Sequence, residues 1–153
     1  FGSSILHIAK WLVPTGEELA PMNALLTLQC LVACLALPSN LQPPEVWAHF
    51  GRILAIPRCS GNETAMQAYV REVANRHGLS VVEDAARNLI VKRPASESVS
   101  ATPVIVQTHL DMVCEKNSDS AHDWSSDPIN TTLRDGWVVA DETTLGSDNG
   151  IGV

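Results

Sequence analysis

The sequence predicts an α/β fold in which helices cover a mixed sheet. Three observations predict it: two apolar patterns at helical spacing over residues 43–77, a switch to short β-branched runs from residue 79, and glycine-bearing turns between the later runs.

The first forty residues stand apart from this pattern. The stretch "ALLTLQCLVACLAL" (24–37) is fourteen residues without a charge, shorter than a typical membrane span of about 20 residues and within the range of a signal-peptide core. Met22 could serve as an internal start, and "LVAC" (31–34) resembles a lipoprotein cleavage box. No Lys or Arg lies between Met22 and the apolar run, so the basic flank of an export signal is missing. A signal or anchor at 22–37, a buried or partner-facing helix, and sequence foreign to the functional protein are the open readings. A chain that opens on Phe1 reads as a fragment.

From residue 41 the pattern is ordered. Pro43 and Pro44 suit the first turn of a helix, and Val46, Trp47, Phe50, Ile53 and Leu54 recur on one face until Pro57 ends it. "SGNE" (60–63) has the S-x-x-E form of a capping box. It opens a second predicted helix, 62–77, with Met66, Tyr69, Val70, Val73 and His77 along one face and Gly78 as its left-handed cap. "LSVVED" (79–84) and "NLIVKR" (88–93) then read as two strands joined tightly through "AAR". "PASESVSATP" (94–103) reads as a mobile surface loop. The run "VIVQT" (104–108) is apolar without alternation until Gln107, which predicts a strand in the middle of a covered sheet. Asp135-Gly136 within "INTTLRDGWVVAD" (129–141) marks a hairpin.

Composition narrows the function classes. The chain has 153 residues, 45% hydrophobic and 18% charged, and a domain of this size can bury roughly 70% of its unfolded surface. With 10 basic against 17 acidic residues it is poorly suited to a phosphate backbone, so no nucleic-acid partner is expected, nor a membrane one. Cys30, Cys34, Cys59 and Cys114 form no C-x-x-C pair and no regular framework, which predicts free thiols in a reducing compartment.

Two constellations carry chemistry. His109 and Asp111 follow the 104–108 strand, where ligands bind in open α/β sheets. In extended backbone an H-x-D pair points one way, so the carboxylate can accept from one ring nitrogen while the other faces a cation. The competing reading is a structural His–Asp hydrogen bond. The second constellation is "GSDNG" (146–150), whose glycines permit a tight turn presenting Asp148. Its carboxylate has two hard oxygens, able to bridge two cations about 3.5–4 Å apart. A plain turn or a helix cap is the competing reading there.

Taken together, "HLDMVCEKN" (109–117), "HDWSSDPI" (122–129) and "TTLGSDNGIGV" (143–153) resemble the aminoacyl-histidine dipeptidases, also called Xaa-His or cytosol nonspecific dipeptidases. These lie within the di-zinc metallopeptidase family that includes the aminoacylases and carboxypeptidase G. "EVWAHFGRILAIPRCSGNE" (45–63) resembles the family's opening helix and cap. The resemblance spans 41–153 and divides the chain into an apolar segment, 1–40, and the N-terminal part of a metallopeptidase catalytic domain, 41–153. It implies His109 and Asp148 as metal ligands, Asp148 bridging, with Asp111 as the catalytic carboxylate that orients His109. It also implies two divalent ions, zinc by preference, a small dipeptide substrate of Xaa-His type, a homodimer at full length and a cytoplasmic location. Export or lipid anchoring is the alternative if 22–37 acts as a signal. The family's Glu-Glu pair, further acidic ligand and distant His have no counterpart in this chain, so it is expected to be inactive alone. A non-catalytic binding or regulatory domain, and a related di-zinc amidase or deacylase, are the alternatives.

Other motifs read as structural. His122 and Asp123 in "AHDW" read as loop-organising, and Cys114 as a small buried hydrophobe rather than a thiolate ligand among carboxylates. His7, His49 and His77 read as surface or helix-face residues. Trp47, Trp124 and Trp137 read as packing or loop anchors. "NET" (62–64) and "NTT" (130–132) fit the glycosylation pattern, which has no consequence in a cytosolic chain.

Overall fold

The computed structural model describes residues 5–8, 37, 40–95 and 102–153. Its elements are β1 (Ile5–Ile8), α1 (Pro44–Leu54), α2 (Thr64–Arg76), β2 (Ser80–Glu83), β3 (Leu89–Lys92), β4 (Val106–His109), β5 (Thr131–Arg134), β6 (Trp137–Ala140) and a single turn, α3 (Ser147–Gly150). The expected mixed sheet is present, with strand order β2-β3-β1-β4, beside a separate β5-β6 ribbon. The strand β1 runs parallel to β3 and antiparallel to β4. The resemblance assigned residues 1–40 no place, so this pairing was not anticipated. Apart from Leu37, the 22–37 segment lies outside the described residues, and so do 96–101 of the predicted loop.

Both helices form where their apolar spacing places them. In α1, Pro44 takes the first position, where the missing N–H goes unnoticed, and Phe50, Ile53 and Leu54 are buried. The helix α2 buries Met66, Tyr69, Val70 and Ala74. It ends on Gly78 at φ +65°, with the Leu79 amide donating to Ala74 O at 2.9 Å, the reciprocal closure of a left-handed cap. His77, read as a surface or helix-face residue, is exposed at the end of the helix. The 60–63 motif does not act as a capping box: Glu63 Oε1 accepts from the Gly61 amide at 2.6 Å, while the Ser60 hydroxyl bonds elsewhere and α2 starts at Thr64.

Two apolar clusters set the frame for the site. In one, Ile53, Met66, Tyr69, Val70 and Ala74 from the helices meet Leu89, Val91 and Leu110. In the other, Phe50 and Leu54 meet Met112 and Ile129, with Trp47 and Trp124 against them. Trp47 and Trp124 are thus the anchors expected, but Trp137 is not: it is 74% exposed on the ribbon. The ribbon turn is the two-residue hairpin expected, with Asp135 at φ 51° and Gly136 at φ 81°, the left-handed pair that matches strand twist.

Two further expectations are corrected. The 104–108 run is not a covered central strand. Among the described residues β4 pairs on one side only, and Ile105 is 75% exposed with Val104 and Val106 also exposed. An apolar run states what a strand would gain by burial, not which segment meets it. The cysteines are not all free either, since Cys59 and Cys114, 55 residues apart, form a disulfide with Cα atoms 5.6 Å apart. Spacing could not reveal it, because the partners are brought together by the parallel bridge between Cys59 and Met112. Cys114 is therefore half-buried and covalently tied rather than a simple hydrophobe, and the thiolate reading is removed.

Candidate metal-binding site

The chain turns alternate after β4 begins. Thr108, Leu110 and Met112 point into the protein and are buried, which leaves His109 and Asp111 on the opposite face. That is the geometry H-x-D requires. His109 Nδ1 lies 2.9 Å from Asp111 Oδ1, so this nitrogen carries the proton and donates to the carboxylate. Asp111 Oδ2 accepts from the Ser60 hydroxyl at 2.5 Å, so both carboxylate oxygens are engaged.

Asp148 arrives by another route. Beyond β6 the chain runs beside 113–117: Asn117 N donates to Glu142 O and Thr144 N to Glu115 O, each at 2.8 Å. The Thr144 hydroxyl donates to Val113 O at 2.6 Å. This pairing delivers Gly146, at φ +68°, and then α3, in which Asp148 adopts φ −94° and ψ 106° and its peptide to Asn149 is cis. The Asp148 carboxylate is 94% exposed, and its Oδ1 stands 3.1 Å from His109 Nε2.

The three predicted site residues therefore meet around one imidazole, which faces a carboxylate at each nitrogen. Burial disfavours the charged ring, but the hydrogen bonds to Asp148 and Asp111 outweigh it, and His109 is raised above its ordinary value. Burial would raise Asp111, but the bonds from Ser60 and His109 prevail and hold it below the usual carboxylate range.

As a donor set, the neutral His109 Nε2 and a carboxylate oxygen 3.1 Å away suit a borderline divalent ion, with Asp111 behind the ring fixing its tautomer. Among the described residues these groups do not reach the three donors of a complete metal site. The residues present thus fit one side of such a centre.

Two residues at the site escaped the sequence reading. Ser60 fits a capping pattern in sequence, and its hydroxyl donates to Asp111 instead. Arg58, 1% exposed, donates from Nη1 to Leu110 O at 3.2 Å and Asp111 O at 3.1 Å, and from Nη2 to Gly146 O. Its signal was a lone cation inside the apolar stretch "LAIPRC" (54–59). His122 and Asp123 organise their loop as expected: Asp123 Oδ1 accepts from Ser125 N and Oγ, and the His122 ring stacks edge-on to Trp124 at 4.4 Å. His49, read as a surface or helix-face residue, is half-buried on α1, with Nδ1 2.6 Å from the Tyr69 hydroxyl.

No family model matches the chain. It is 40% identical over 116 residues to the cytosol non-specific dipeptidase of Escherichia coli strain K12, covering 75% of this chain and 24% of that protein. Its fold matches the crystal structure of aminoacylhistidine dipeptidase from Vibrio alginolyticus with TM-score 0.65 and 36% identity, covering 74% of this chain and 24% of that one. The chain thus spans about a quarter of the length of these relatives. Over three quarters of its own length, it is a sequence and structural relative of the aminoacyl-histidine, or cytosol non-specific, dipeptidases.

Proposed function

We propose that this chain contributes one wall of a metal-dependent dipeptide hydrolase, with His109 and Asp148 as metal ligands and Asp111 as the carboxylate that orients His109. The single observation carrying this reading is the His109 ring held between Asp111 Oδ1 at 2.9 Å and Asp148 Oδ1 at 3.1 Å. The similarity to two dipeptidases supports peptide hydrolysis as the reaction class.

Two divalent ions, zinc by preference, would be held with Asp148 between them. Zinc bound in such a site lowers the pKa of water to about 7 and polarises a carbonyl. The chain's own residues do the positioning: Asp111 accepts the Nδ1 proton, so that Nε2, the nitrogen on the Asp148 side, is the one that would give up its proton to bind metal. The substrate class is a dipeptide of Xaa-His type, acted on by the full-length homodimeric protein in the cytoplasm. In this reading His109 and Asp148 are taken up by metal binding and Asp111 by orienting His109, so none of the three serves as general base and the chain alone is inactive.

Metal analysis after dialysis against zinc tests the site. In the full-length protein the unsubstituted form is expected to retain metal, and His109→Ala and Asp148→Ala to lose it. Equal retention by all three would remove the assignment. Chelator-sensitive cleavage of a histidine-terminated dipeptide by the chain alone would overturn its inactivity. No cleavage of dipeptides by the full-length protein, with turnover of acylated amino acids instead, would favour the deacylase reading.

A further inference from the structure

The site is assembled from two segments 35 to 39 residues apart in sequence, 109–111 and 146–148, and one buried side chain touches both. Among the described residues, Arg58 is a cation without an ion-pair partner at hydrogen-bond distance. Its guanidinium donates there to backbone carbonyls: Leu110 and Asp111 on one segment, Gly146 on the other. Burial pulls its pKa down, with Asp111 opposing. A buried charge satisfied by carbonyls alone is costly to desolvate, so its place needs a reason.

The glycines of "GSDNG" supply it. A Cβ on Gly150 would lie 2.5 Å from Arg58 Nη2 and 3.3 Å from its Cζ; a Cβ on Gly146 would also lie 2.5 Å from Nη2. Gly146 has further reasons to be glycine, its positive φ and Met112 Sδ at 2.7 Å from the same point, whereas Gly150 has an ordinary φ and is confined by the guanidinium, with Phe50 Cε2 next at 3.3 Å. The guanidinium is the tightest neighbour at Gly150. The loop presenting Asp148 is therefore shaped around Arg58 on both sides of that carboxylate.

The neighbours of Arg58 fasten the same assembly. Met112 N donates to Arg58 O at 3.0 Å, Cys59 is bonded to Cys114, and Ser60 donates to Asp111. These three fix the 58–60 loop to the 109–114 segment only. Of the bonds from the 58–60 loop, the guanidinium's continues to Gly146, whose carbonyl also accepts from Gly150 N at 3.2 Å; the Thr144 pairing and a 3.4 Å bond from the Thr108 hydroxyl to Asn149 O hold the same turn from the β4 side.

We infer that Arg58 is the positioning residue that sets Asp148 against His109, by joining the carbonyls of 110–111 to that of Gly146 through one planar fork. Two guanidinium nitrogens face the two segments, so a lysine's single ammonium cannot substitute. The metal readout below rests on the proposed function; the exchange readout does not.

The test compares Arg58→Met, Arg58→Lys and Gly150→Ala in the full-length protein, with zinc as the probe. Zinc affinity is measured by competition with a chromophoric chelator, and amide hydrogen exchange is followed at Gly150 and Met112. All three variants are expected to exchange faster at Gly150 and to lose on the order of 10–100-fold in zinc affinity, with Lys recovering little of it. In Arg58→Met/Gly150→Ala the added methyl meets no guanidinium, so the double variant should be no worse than Arg58→Met alone. Unchanged Gly150 exchange in a folded Arg58→Met, or full recovery by Arg58→Lys, overturns the inference. If Arg58→Met does not fold, Gly150→Ala decides: wild-type exchange and affinity there overturn it, and losses in both support it. If the unsubstituted full-length protein binds no zinc, the metal reading fails while the exchange at Gly150 still decides the role of Arg58.

Discussion

Strands β3 and β4 open on almost the same chemistry and meet opposite fates. "NLIVKR" (88–93) places Leu89 at 0% and Val91 at 5% exposure against α2, while the equally apolar "VIVQ" (104–107) leaves Ile105 at 75%. The difference lies in what packs on them. Helix α2 is close in sequence to β3 and its apolar face has one obvious neighbour, whereas no described element covers 104–106. Further along, the second strand recovers: Thr108, Leu110 and Met112 turn inward, and the buried half is the one that mounts the site. Rigidity where chemistry needs it thus comes from one face of an otherwise bare strand.

Substitutions should separate the two strands most sharply. Leu89→Ala, deep in the first cluster, is expected to cost about 2–5 kcal/mol by denaturant unfolding. A loss below about 1 kcal/mol would show that the cluster is not the core. Gly136→Ala, forced to keep φ 81° in the ribbon turn, should cost about 1 kcal/mol, seen as a shifted midpoint. Ile105→Lys should fall within about 0.5 kcal/mol of the parent and reduce self-association at the open edge in sedimentation. A large destabilisation there would mean that 104–106 is covered in solution.

Acid tests the half of β4 that bears the site. His109 is raised, so in metal-free protein its ion pairs contribute stability that is fully present below the unfolded histidine value of about 6.5 and lost as pH rises through the higher folded value. Metal binding runs the other way, because Nε2 must be unprotonated. Zinc affinity should therefore climb with pH through the raised His109 value, and in His109→Gln that step should vanish from the titration.

What could be read from the sequence was local. The helices, their Pro and Gly ends, the Asp135-Gly136 turn and the shared face of His109 and Asp111 follow from spacings of a few residues, where backbone period decides geometry. What was missed depends on residues far apart. Ser60 satisfied a local capping pattern and yet serves Asp111, 51 residues away; Cys59 found Cys114; and Arg58 reaches Gly146 across 88 residues. The proximity of Asp148 to His109 was accessible only through resemblance, since no periodicity links positions 39 apart.

The Cys59–Cys114 pair gives the molecule a memory of its surroundings. The name of the Escherichia coli relative places that protein in the cytosol, and in a reducing compartment glutathione and thioredoxin keep such sulfurs as thiols. Trapping thiols with an alkylating reagent at the moment of cell lysis, then mapping peptides, would read that history directly. Labelled Cys59 and Cys114 would place the protein's life in a reducing compartment, and an intact cross-link would place it in an oxidising one.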